Sequence, residues 1–166
     1  MTDRDRSDLI SALEQQRSFL RQTVQGLSDD QATLRSTASE LCLAGIIKHV
    51  ANTERRWVDF IVRGPEVLAF TPQSMESHAQ SFQVLREESL QVLLDRYDAV
   101  ARRTADVVEQ LPSLDDSQPL PDAPWFPPNT SWSARMVLAH ILAETAQHSG
   151  HADIIRESID GAKTMG

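Results

Sequence analysis

The chain has one cysteine, Cys42, so no disulfide can form within it, and a reducing cytoplasm is the natural compartment. Aromatic residues make up only 5% and glycines number 6, while the apolar residues are mostly Leu, Ile, Val and Ala, a balance that favours helix over sheet. Basic residues are the minority. The 16 Lys and Arg against 24 Asp and Glu leave a net charge of -8, which argues against nucleic acid or an anionic membrane as partner, because both need basic patches. No hydrophobic run has the length of a signal sequence or a membrane span, and no internal repeat or low-complexity tract is visible. What is there is 166 residues, read as one domain over 1–166 with enough chain for a real core.

Helical periodicity recurs four times. Leu9, Leu13, Leu20, Val24 and Leu27 mark a first helix over 5–27, and the run Ser28, Asp29, Asp30, Gln31 has the form of a capping box opening a short turn. Ser39 is the expected cap of a second helix that stops at Gly64 and Pro65. Between 65 and 88 the period fades into a long connection with room for a helical turn. It returns over 89–110 through Leu90, Leu93, Leu94, Tyr97, Val100, Ala101, Val107 and Val108. Six prolines between 111 and 130 favour extended structure, and a fourth helix runs from Ser131 to Gly161. The expected fold is all-α, a four-helix bundle with long connections between its second and third and its third and fourth helices. Connections of that length often cover a site.

The fourth helix carries the chemistry. At about 100° per residue, Val137, Ile141, Glu144, His148, Ile155 and Ile159 fall within about 60° of one another, with His140 and His151 beside them. Ionisable groups on a buried stripe cost several kcal/mol unless compensated by an ion, a network or a metal. Glu144 and His148, four residues apart, are spaced to hold one ion between consecutive turns. On the second helix His49 shares its face with Cys42, Ile46 and Phe60, so the two stripes point to one shared site in the middle of the bundle. Spacing alone leaves two readings open: a metal site, or a buried polar network tying the two helices together. The Glu directly after the first His of a zincin motif is missing, which excludes that protease signature.

The segment from Gly45 to Trp57 matches a His-Val-Ala-x-x-Glu-x-x-Trp pattern, and His140 through Gly150 resembles a His-x-x-x-His-x-x-x-His-x-Gly block with Glu144 in place of the middle His. On these motifs the chain resembles the DinB/YfiT-like superfamily of four-helix metalloproteins. The Glu is similar to the mycothiol-dependent maleylpyruvate isomerase branch, and the run from Glu144 to Gly161 to an actinobacterial subfamily of unassigned function. The resemblance implies His49, Glu144 and His148 as metal ligands. That set suits a catalytic zinc with one open position, and nickel, iron or manganese accept the same donors. His140 and His151 stand next to the site, either to move a proton or to orient a ligand.

Other residues invite plainer readings. Cys42 reads as a small buried hydrophobe before a reactive thiol or an extra ligand. Trp57 and Phe60 belong to the core, and Trp125, Phe126 and Trp132 either wall a pocket mouth or pin the proline-rich loop. Asp153 and Arg156 read as salt-bridge partners to a neighbouring helix or subunit. As function, the resemblance implies a metal-dependent transferase or isomerase that uses a low-molecular-weight thiol such as mycothiol on small electrophiles. Metal-assisted hydrolysis and a non-enzymatic metal-binding stress-response dimer are the alternatives. A small-molecule substrate and a homodimer are expected, the latter by analogy only.

Overall fold

A computed structural model of the chain describes residues 3–164. Four long helices carry the fold: α1 (Asp3–Gln22), α3 (Leu43–Arg63), α5 (Leu90–Gln110) and α6 (Ala134–Asp160). Shorter pieces join them: α2 (Asp29–Ala32), a 3-10 turn at Pro65–Leu68, α4 (Pro72–Ala79), and an antiparallel ribbon of β1 (Ser117–Pro119) and β2 (Ser131–Ser133), with Gln118 opposite Trp132. The all-α bundle with long second and third connections is therefore confirmed, and the connection after α3 holds a full short helix. No helix among the described residues is long and apolar enough to cross a membrane.

Helix starts follow local hydrogen-bond chemistry. Ser28 and Gln31 form the expected capping box, and Ser89 and Ser133 each accept from a backbone N–H three residues on. Three boundaries differ from the sequence reading. The Ser39 hydroxyl accepts from the Leu41 N–H in a local turn, so it is spent before the helix begins and α3 starts at Leu43 with Cys42 in the capping position. Residues 131–133 pair as β2, which delays α6 to Ala134. α1 ends at Gln22, ahead of Gly26 with its positive φ of 76°. Arg156 of α6 binds the Thr23 and Gln25 carbonyls there (3.0 and 2.9 Å) and pairs with Asp160. Asp153 accepts from Thr164 at the end of the described chain.

α1 packs against α6 and, more lightly, α5, whereas α3 packs against both α5 and α6, so α1 and α3 face each other across the bundle axis. Two apolar cores form along that axis. One gathers Leu20, Leu43, Ile46, Ile47, Leu93, Tyr97 and Ile155, and the other Leu13, Trp57, Phe60, Val108, Leu114, Val137, Leu138 and Ile141. A polar layer lies between them: Arg17 of α1, fully buried, forms a two-point pair with the buried Glu54 of α3, one contact from Nε to Oε2 at 3.2 Å and the other from Nη2 to Oε1. Thr104 of α5 donates to the same carboxylate at 2.5 Å. The middle of the bundle is thus held by an ion pair, and the histidine cluster stands off the axis, in the seam between α3 and α6.

Candidate metal centre

α3 brings His49 to that seam and α6 brings Glu144 and His148. One donor atom from each of the three lies within 4.8 Å of the others, a separation that a single cation could span. His148 Nε2 is 3.9 Å from Glu144 Oε2, and the two imidazole rings are 4.9 Å apart, centre to centre. His49 is 5% exposed, while Glu144 keeps contact with solvent, its side chain 31% exposed. The expected trio therefore does converge, at the edge of the bundle rather than at its centre.

The ring of His49 is held by the connection after α4. Phe82 stacks on it at 3.9 Å with the planes 13° apart. That approach depends on Gly45, because a Cβ there would come within 2.3 Å of the Phe82 carbonyl oxygen. Lys48 ties the same loop to α3 through the Gln83 carbonyl and Glu88, both at 2.7 Å. Burial pushes the Glu88 carboxyl up, but the Leu85 N–H, Lys48 and Arg96 outweigh it and hold the group below its ordinary value. Ser81 then settles the tautomer of His49. Its hydroxyl donates to the His78 carbonyl (2.6 Å), so toward His49 Nδ1, at 2.9 Å, it is left to accept. Nδ1 carries the proton and Nε2 keeps its lone pair.

Burial first, and then repulsion from His148 and His78, pushes the His49 pKa down to about 4, so the imidazole is neutral at pH 7. Burial also lowers His140 and His148, partly opposed in each case by Glu144. Neutral imidazoles and one carboxylate are the protonation states a divalent metal requires. His148 Nδ1 is buried with no hydrogen-bond partner among the described residues.

His49 and Glu144 open onto a cavity of about 510 Å³, walled by Trp57, Leu68, Phe70, Met75, Trp125 and Phe126, with Thr53, Arg56, Ser74, His78 and His140 on its lining. The two long connections meet over it: Phe70 touches Trp125 edge to face at 4.7 Å, and Trp125 stays 62% exposed at the mouth. A larger, more open depression of about 670 Å³ around Arg21 and Gly26 holds none of the three donors. Size alone would choose the wrong hollow; the donors choose the smaller one.

The two flanking histidines separate. His140 lines the cavity, packed on Trp57 and Trp132 at 4.8 and 5.2 Å. His151 is not on the lining; it lies 5.4 Å from His148, and its Nδ1 is buried without a partner among the described residues. Cys42 is buried at the head of α3 and is outside the donor cluster. Trp57 and Phe60 are core residues as read. Missed from the sequence were Ser81, Phe82 and His78, which lie where no period is visible, and Arg56, which stands seven residues after His49 and hence on its face.

Comparison with known proteins bears on this site. The family model described as mycothiol-S-transferase matches residues 8–161. No curated protein matches the chain by sequence. Two solved structures share the fold, each with a TM-score of 0.65. One is a conserved protein from Enterococcus faecalis, 15% identical, with 94% of this chain and 97% of that one covered. The other is YfiT from Bacillus subtilis, described as a probable metal-dependent hydrolase with an unusual four-helix bundle topology, 13% identical, with 93% and 87% covered.

Proposed function

The chain belongs to the mycothiol-S-transferase family, within the DinB/YfiT-like superfamily, and from that premise we propose that it joins a low-molecular-weight thiol of the mycothiol type to small electrophiles at a metal-dependent site. One observation carries the reading: three donors within 4.8 Å of one another, two of which, His49 and Glu144, are on the wall of a largely apolar cavity. His49, Glu144 and His148 would hold a divalent cation, zinc first among those that accept two imidazoles and a carboxylate. A divalent cation at such a site supplies a lowered thiol pKa, so that sulfur reacts as thiolate at neutral pH.

The protein's own groups do the rest. Phe82 and Ser81 fix the plane and tautomer of His49, and the aromatic walls exclude water from the reacting atoms. His140, neutral at pH 7, lines the cavity with Glu144 and would accept the thiol proton. The sulfur electron pair forms the new S–C bond, the leaving group departs with the pair of the bond it breaks, and the proton passes from His140 to solvent. His151, away from the cavity, is assigned to orienting His148 rather than to proton transfer.

Elemental analysis of the purified protein beside His49→Ala and Glu144→Ala, together with turnover of monochlorobimane with mycothiol and bacillithiol, tests the reading. One equivalent of metal is expected in the wild type and little in either variant, with mycothiol turnover abolished by chelation. Full metal retention by a variant removes that residue from the ligand set. Turnover with neither thiol overturns the transferase assignment. Hydrolysis, the activity in the description of YfiT, would then be the reading to pursue, with water in the thiol's place.

A further inference from the structure

Acidic residues outnumber basic ones 24 to 16 in this chain, so a cation should find an acceptor easily. Most do. Arg17, Arg21, Lys48, Arg96, Arg103, Arg135 and Arg156 all engage carboxylates. Arg63, Arg86 and Arg102 have no ion pair among the described residues but are exposed, where water solvates them. Arg56 is different: it is half-buried, on the lining of the metal-site cavity, with no hydrogen-bond or ion-pair partner among the described residues. Its neighbour Arg55, exposed, does pair, with Asp59.

Position makes the exception informative. Arg56 is seven residues after His49 on α3, so the two side chains leave the same helix face about 10 Å apart along the axis. Thr53 lies between them and lines the cavity too, and Trp57, Phe70, Trp125 and Phe126 supply flat apolar surface. A partly desolvated guanidinium is a two-pronged donor matched to a carboxylate. The negative charge of a reacting thiol is on sulfur, at the donor cluster; Arg56 calls for a second anion, one ring-length away.

We propose that Arg56 anchors a carboxylate on the electrophile, which makes the substrate class a planar, largely apolar electrophile bearing one carboxylate. The assignment rests on the transferase reading for the word electrophile, but the anion site is tested without any reaction. The test is calorimetric titration of the zinc-loaded protein with 2-naphthoate and with the neutral 2-naphthamide, neither of which is an electrophile. In the wild type, naphthoate binds at least about tenfold more tightly than naphthamide. Arg56→Gln abolishes that preference with naphthamide affinity retained, and Arg56→Lys, which keeps the charge and loses the fork, retains part of it.

Equal binding of the two probes by the wild type overturns the proposal. So does a naphthoate preference that persists in Arg56→Gln, or one that disappears when zinc is chelated from the wild type, because the carboxylate would then be on the cation. Arg56-dependent naphthoate binding without thiol transfer retains the anion site and removes the transferase reading. Thiol transfer without Arg56-dependent binding does the reverse.

Discussion

Two polar clusters share helix α3, five residues apart, and they use the same buried setting in opposite ways. Around Glu54 everything is spent: both carboxylate oxygens receive donors, from Arg17 of α1 and Thr104 of α5. Around His49 much is unspent: its Nε2 meets only the Thr53 hydroxyl, at a long 3.5 Å, His148 Nδ1 has no partner among the described residues, and Glu144 keeps one edge in solvent. Five residues turn the helix by about 140°. That sends Glu54 to the axis and His49 to the α3–α6 seam. A saturated cluster closes a core, whereas an unsaturated one beside a cavity is a place for something else to bind.

The largest expected effect would confirm the structural half of this contrast. Glu54→Ala takes the buried partner of Arg17 and leaves it only the largely exposed Glu14, at 3.3 Å, which costs about 3–5 kcal/mol and lowers the thermal midpoint by on the order of 10 °C for a chain of this size. Metal content should be retained in the protein that remains folded. Replacing both partners, Arg17→Met with Glu54→Leu, should recover most of the loss, because an apolar pair needs no compensation. If the double variant is as unstable as the single one, the pair does more than fill its own layer.

Next comes acid. In chelated protein His49 is neutral with a pKa of about 4, against about 6.5 in an unfolded chain. Between those values the unfolded state holds more protons, so stability rises with pH. It is complete above about 6.5 and lost as pH falls toward 4, on the order of 3 kcal/mol in all. Burial of His140 and His148 acts in the same direction. Urea midpoints measured from pH 8 to 4 should show this fall, and His49→Gln should flatten it. A profile as steep in the variant as in the wild type would move the effect elsewhere.

The smallest effect isolates the tautomer. Ser81→Ala takes the acceptor from His49 Nδ1 without touching a metal donor. Zinc affinity should drop about tenfold, toward the low end for groups that orient a ligand histidine, at nearly unchanged stability of the metal-free protein. Competition with a chelating dye measures it. Unaltered affinity would mean that Phe82 stacking alone sets the ring.

Much of this site was legible along the chain because a helix repeats its face every three to four residues. Glu144 and His148 stand on one stripe of α6 and His49 on the inner face of α3, so a shared location followed from local geometry. The caps at Ser28, Ser89 and Ser133 are local in the same sense, settled by hydrogen bonds three residues long. Ser39 failed as a cap for an equally local reason, since its hydroxyl had a nearer N–H to serve. The ribbon of β1 and β2 was not legible: its strands are three residues each, and their pairing spans the proline-rich loop.

By itself the order of residues determined four amphipathic helices and put His49, Glu144 and His148 on inward faces, consequences of short-range periodicity and spacing, while the motifs around them carried the resemblance to a family. Tertiary structure alone decided that the axis of the bundle goes to Arg17 and Glu54, 37 positions apart, and that the donors occupy a seam. It also decided that an aperiodic loop supplies Ser81 and Phe82, and that Arg56 faces a cavity with no partner among the described residues. The physical reason is one of range. A helix face is set within a few turns, but whether a buried polar atom is paired or left open depends on which distant segment packs against it.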